Sequence, residues 1–167
     1  MTAAIAIDDF SRFRPATQDT GLSEASQTLK GKLSVLRAHF LQPISWGREF
    51  ELRLTELQDI LKDCSEDNWD GYHARPISSA AAEEASEFLV LLLSQMQIPT
   101  EIVPEPDGSI ALEWYNQHGK NLSVSFIGSN WLAYSGRFND GTSIYGVERF
   151  GTSIPTSIKA AIQRLYA

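Results

Sequence analysis

Apolar residues recur along this chain first every three or four positions and then every second one, and the change of period divides it into a helical half and a strand half. From Leu22 to Leu41, the residues Leu29, Leu33, Leu36 and Phe40 keep helical spacing, with Ser23 or Ser26 available as a cap, which predicts a first helix. Gln42-Pro43 ends it, because proline disfavours the helical conformation at the residue before it. A second helix is predicted from about Ser45 to Cys64, where Phe50, Leu54, Leu57, Leu61 and Cys64 step by four and three. So short a link predicts an antiparallel pair, or one long helix broken at Pro43, with the shared seam serving as core. A third helix follows Pro76-Ile77-Ser78-Ser79, with a serine as N-cap, Glu83 and Glu84 near the positive end of its dipole, and an end at about Gln97. Ala85, Phe88, Leu89, Leu92 and Met96 mark its inner face, but Val90, Leu91 and Leu93 make its middle apolar nearly all round. Such a helix needs cover on more than one side, which predicts a central position between a sheet and the first two helices.

Beyond Pro99 the period becomes two. Glu101-Ile102-Val103-Pro104 predicts a short edge strand, since Pro104 would remove a ladder hydrogen bond from a central one. Asp107-Gly108 supplies a turn, and Ile110, Leu112 and Trp114 then alternate with Ser109, Ala111 and Glu113. After a turn over Asn116 to Lys120, with His118-Gly119 at its tip, Leu122, Val124 and Phe126 repeat the one-faced pattern. Gly128-Ser129-Asn130 and Asn139-Asp140-Gly141 are further hairpin signals, bracketing a strand at Trp131 to Ser135 and leading into one from Ser143 to Phe150. A last helix is predicted after Ser153-Ile154-Pro155, burying Ile158, Ala161, Ile162 and Leu165.

The sum is an α+β chain: two N-terminal helices, a central helix, a five-stranded antiparallel meander and a C-terminal helix, with the helices on one face of the sheet. Residues 1–21, without regular periodicity, form an arm in which Phe10 and Phe13, three apart, are candidate contacts. The remainder, 22–167, divides into the helical pair over 22–67, a junction over 68–76 and a helix-sheet-helix unit over 77–167. The junction, Asn68-Trp69-Asp70-Gly71-Tyr72-His73-Ala74-Arg75-Pro76, is the most distinctive stretch. Gly71 permits a sharp turn, Asn68 and Asp70 can bond nearby amides, Trp69 can plug the gap between helices, and Arg75 can pair with an acid at the start of the third helix. That makes Trp69 a structural lock and leaves Tyr72 and His73 as the exposed contacts.

Composition then narrows the function. The length of 167 residues with 43% apolar content is enough for one sizeable core. The lone Cys64 rules out an intrachain disulfide, and no basic n-region precedes Asp8-Asp9, so the expectation is a cytoplasmic protein without a secretory signal. The apolar run Phe88 to Leu93 is far short of the roughly 20 residues that span a bilayer. The net charge of −7 has one source: no Lys or Arg lies between Pro76 and Gly119, where Glu83, Glu84, Glu87, Glu101, Glu105, Asp107 and Glu113 sit, and elsewhere acids and bases balance. Phosphates need clustered cations, so nucleic acid is not the expected partner; an acidic field suits a basic one.

Material for catalysis is thin. His39, His73 and His118 share no zinc-binding spacing, and neither a nucleophile elbow nor a P-loop nor a GxGxxG is present, so no metal, cofactor or catalytic residue is expected. Glu105, Asp107 and Glu113 could converge at the first hairpin as an acid-base or metal site, with His73 nearby, which keeps a small hydrolase or metal-dependent enzyme as an alternative. A solvated hairpin explains the same residues more simply. A third alternative is a structural oligomer through the N-terminal helices.

Asn68-Trp69-Asp70-Gly71-Tyr72, then Pro76-Ile77-Ser78, then Val103 to Asp107 and Gly108 to Trp114, resemble a loose group of small bacterial proteins with Asn-Trp-Asp-Gly, a helix and a hairpin ending in Glu-Trp. The resemblance covers about the second and third quarters of the chain. It implies a bacterial, intracellular protein and supplies no activity and no catalytic residue. The leading expectation is therefore a protein-binding domain of antitoxin, immunity or accessory-subunit kind. Its contacts would be Tyr72, His73, Glu105, Asp107, Glu113, Trp114 and Tyr115, facing a basic partner.

Overall fold

The computed structural model describes residues 45–95, 97–116 and 119–166. The arm with Phe10 and Phe13, the first predicted helix, His39, Met96 and His118 lie outside them.

Helix α1, Ser45–Asp63, buries Phe50, Leu54 and Leu57, the positions stepping by four and three, and Cys64 closes the stripe just past its end. Burial, with the charge of Asp63 adding to it, pushes the Cys64 thiol above its ordinary value, in keeping with its place in the core. Helix α2, Ser79–Leu93, starts where expected: Ser78 is extended at φ −65° and ψ 127°, and its side chain accepts from the Ala81 N–H. It ends four residues earlier than the expected Gln97. Pro99 restrains only Ile98, whereas the Ser94 hydroxyl donates back to the Leu91 carbonyl, and the Gln97 carbonyl accepts the Trp114 indole N–H.

The sheet is an antiparallel meander in the order β1 to β5: β1 Glu101–Pro104, β2 Ile110–Tyr115, β3 Asn121–Phe126, β4 Trp131–Arg137 and β5 Ser143–Arg149. Its registers align the apolar positions: Ile110 faces Phe126, Leu112 faces Val124, Trp114 faces Leu122, and Phe126 faces Leu132. These side chains point to one face, where α2 and the C-terminal helix α3, Thr156–Tyr166, cover them. Helix α2 also packs on α1, which explains its apolar circumference. At the centre Phe88, Phe126 and Phe150 meet with ring centroids 5.2 to 6.0 Å apart.

Two turns lock the hairpins onto α2 and the segment before it. A side chain at Gly108 (φ +89°) would put its Cβ 2.8 Å from the Pro76 carbonyl, and one at Gly128 (φ +78°) would sit 2.7 Å from the Ala80 Cβ. The second turn is also held by Glu84, only 8% exposed, whose carboxylate accepts the N–H groups of Gly128 at 3.2 Å and Asn130 at 2.5 Å. Glu84 thus leaves the dipole role expected of it and becomes a cap for a hairpin 44 and 46 residues away.

Candidate functional site

The junction pins itself. Asp70 Oδ1 accepts the N–H groups of Tyr72 (2.7 Å) and Ala74 (3.1 Å), Asn68 Oδ1 accepts that of His73 (2.8 Å), and the Asn68 N–H reaches the Ala74 carbonyl at 2.7 Å. These bonds hold Asn68 at φ +65° and His73 at φ +74°, left-handed conformations that cost a non-glycine residue of order 1 kcal/mol or more. Trp69 is half-buried against the core, and its indole N–H donates to the Arg75 carbonyl at 2.7 Å. The junction then docks on the β1–β2 turn, Arg75 N–H to the Pro106 carbonyl at 2.8 Å and Ser78 N–H to the Gly108 carbonyl at 2.9 Å. Tyr72, 86% exposed, and His73 stand outward from this frame.

The hairpin carboxylates divide. Glu105 Oε2 and Asp107 Oδ1 both lie 2.6 Å from the hydroxyl of buried Ser109, which has one proton to donate. The Ser109 hydroxyl first, its backbone N–H next and the more distant Arg75 charge hold Asp107 below the usual carboxylate range. The Arg75 charge thus reaches this turn as a minor influence, while Glu84 at the start of α2 is taken by the other one. Glu113 lies four residues further along β2, roughly 14 Å from Ser109, and stands opposite Glu101 in the ladder. It accepts the phenol of Tyr115, whose pKa is driven up by that bond and, secondarily, by burial and the neighbouring carboxylates. Among the described residues no three His, Cys, Asp or Glu side chains are grouped to hold a metal ion. Bonds within the turn account for Glu105, Asp107 and Ser109.

Trp114 is not a surface anchor. It is 1% exposed, because its parity on β2 turns it to the helix-covered face, where its indole N–H bonds the Gln97 carbonyl at 3.0 Å. Alternation puts Glu101, Val103, Ala111, Glu113 and Tyr115 on the opposite face, where Glu101, Val103 and Glu113 are partly exposed and Tyr115 half-exposed, while Ala111 is itself buried. No described helix packs there. Across β3 to β5 this open face continues with Ser123, Ser125, Ala133 and Ser135 as a floor of small side chains. Trp131 (47% exposed), Tyr145 (84%) and Val147 (64%) stand above it. Arg137 and Arg149 lie at its far side. Trp131, Tyr145 and Val147 were not singled out from the sequence; the signal available was their alternation with Leu132, Ile144 and Gly146, whose meaning depends on which face the helices take.

No helix among the described residues is long and apolar enough to cross a membrane. Compared with protein-family models, with curated proteins and with solved structures, the chain gave no match in any of the three.

Proposed function

We propose that the chain is a non-enzymatic protein-binding domain, of antitoxin, immunity or accessory-subunit kind, that receives a basic segment of a protein partner on the open face of its sheet. The observation that carries this reading is the make-up of that face. Glu101 and Glu113, cross-strand neighbours, form a short acidic column beside Tyr115, and a floor of Ala and Ser leads to the exposed Trp131, Tyr145 and Val147. Aromatic side chains standing on strands lose little conformational freedom on binding, and apolar surface left uncovered marks contact sites. The acidic column would draw a cationic segment and fix its direction, because Arg137 and Arg149 repel it from the other side. Tyr72 and His73 belong to a separate projection on the junction and remain secondary contacts in this reading.

A photo-crosslinking amino acid at position 115, compared with one at the exposed Lys159 on α3, tests it in cells. Adducts of one basic protein at 115 alone, weakened in Glu101→Gln/Glu113→Gln, are the expected result. Equal adducts at both positions, or none at 115, would refute the reading.

A further inference from the structure

The two edges of the sheet are finished differently. On β1 the Ile102 N–H, which points away from β2, is taken by Glu56 Oε1 at 3.2 Å, and Pro104 has no N–H. The neighbouring Thr100 carbonyl accepts from Arg53 Nη1 at 2.7 Å, and Arg53 is itself paired with Glu56 at 2.6 Å. Helix α1 thus seals this edge with side chains. The opposite edge, β5, is seven residues long against four and contains neither Pro nor Lys. Its one acid, Glu148, turns to the helix-covered side and accepts from the Ser157 hydroxyl at 2.8 Å.

The ladder shows which groups β5 leaves open. Phe138 N–H bonds the Thr142 carbonyl and Phe150 N–H bonds the Asn130 carbonyl, in phase with the β4–β5 register. The hydrogen-bonded pairs between them are therefore the even-numbered ones, Gly136 with Ile144, Tyr134 with Gly146, and Leu132 with Glu148. The N–H and C=O groups of Ser143, Tyr145, Val147 and Arg149 point outward, and none has a partner among the described residues. A bare edge of this kind is a template for another strand.

We propose that the strand it takes is β5 of a second copy of this chain, antiparallel and centred on Gly146, so that two five-stranded sheets join edge to edge into one. The register is self-complementary. Ser143 falls opposite Arg149 and Tyr145 opposite Val147 of the second copy, all outward-bonding residues, so the open N–H and C=O groups of each strand meet their counterparts. The same register covers the exposed Tyr145 with Val147 and Val147 with Tyr145 on the open face. Charge agrees with it. Strand β5 carries one acid and one base, whereas the acidic column lies on β1 and β2, roughly 14 Å or more away. That exceeds the screening length of about 8 Å at physiological salt, so pairing apposes neutral edges and sends the acidic ones to the two ends. A single strand pair buries less than a standard interface, so the dimer is expected to be weak and concentration-dependent.

The purified full chain, without any partner, is measured by sedimentation across concentrations. A concentration-dependent dimer is expected. Val147→Lys, which adds an edge charge without touching the bonds to β4, is expected to weaken it at least about tenfold, with the melting temperature unchanged at dilutions where the parent is already monomeric. Register is read by oxidative crosslinking of a mixture of Tyr145→Cys and Val147→Cys chains. Mixed dimers should dominate, because directly opposite residues of a bonded pair lie about 5.5 Å apart, while two copies of position 145 exceed the roughly 7 Å limit for a disulfide. A monomer at every concentration, a dimer indifferent to Val147→Lys, or crosslinks favouring like positions would overturn the proposal. A monomer that takes a strand only from another protein counts against it too.

Discussion

Glu84 is the side chain whose role departs furthest from its position in the sequence. Near the start of an acidic helix it has the pattern of a solvated dipole partner, yet it is buried and accepts two backbone N–H groups of the β3–β4 turn. Removing it leaves those donors without an acceptor, so Glu84→Ala is expected to cost about 2 kcal/mol, with Glu84→Gln costing less because an amide oxygen can still accept one of them. Urea unfolding of the two variants against the parent measures the difference. Asp140 offers a contrasting case at the surface. The Thr142 hydroxyl, then the Thr142 N–H, then Arg164 hold its carboxyl at about 2. A depressed folded value means that its small stabilisation is complete above the unfolded pKa of about 3.9 and is lost as pH falls through about 2. Carboxyl NMR titration should show that midpoint, and Thr142→Val should move it upward.

At the scale of elements, parity decides what neighbouring aromatic residues do. Trp114 and Tyr115 are adjacent on β2, but one is closed into the core and the other stands half-exposed on the open face. Trp114→Ala is expected to cost about 3 to 5 kcal/mol as a core truncation, whereas Tyr72→Ala, at 86% exposure, should stay within about 0.5 kcal/mol. Chemical denaturation separates the two, and a large loss at Tyr72 would mean that the junction leans on that ring. The strands were legible because apolar residues alternate and Gly-containing turns punctuate them, and the register of the meander follows from short hairpin connections. The end of α2 was not, because it is set by Ser94 and by the indole of a residue on β2.

For the molecule as a whole, the described residues give the sheet one covered face, one open face, one sealed edge and one bare edge. The open face underlies the proposed binding of a basic segment and the bare edge underlies the proposed pairing of two copies, and the two are tested independently. The amino-acid sequence by itself determined that helices begin near Ser45, Ser79 and Pro155, and it determined the five strands and the α+β class. Each of these follows from periodicity, caps and turn residues within a short span of chain. It also located the acids that now stand on β1 and β2, because charge can be counted along a chain. Only the tertiary structure decided that Trp114 is interior, that Glu84 caps a distant turn, that Arg53 and Glu56 close the β1 edge, and that Tyr145 and Val147 stand uncovered. The physical reason is the same in each case: burial and hydrogen-bond satisfaction depend on what packs against a face or an edge, and those neighbours come from residues far away in the sequence.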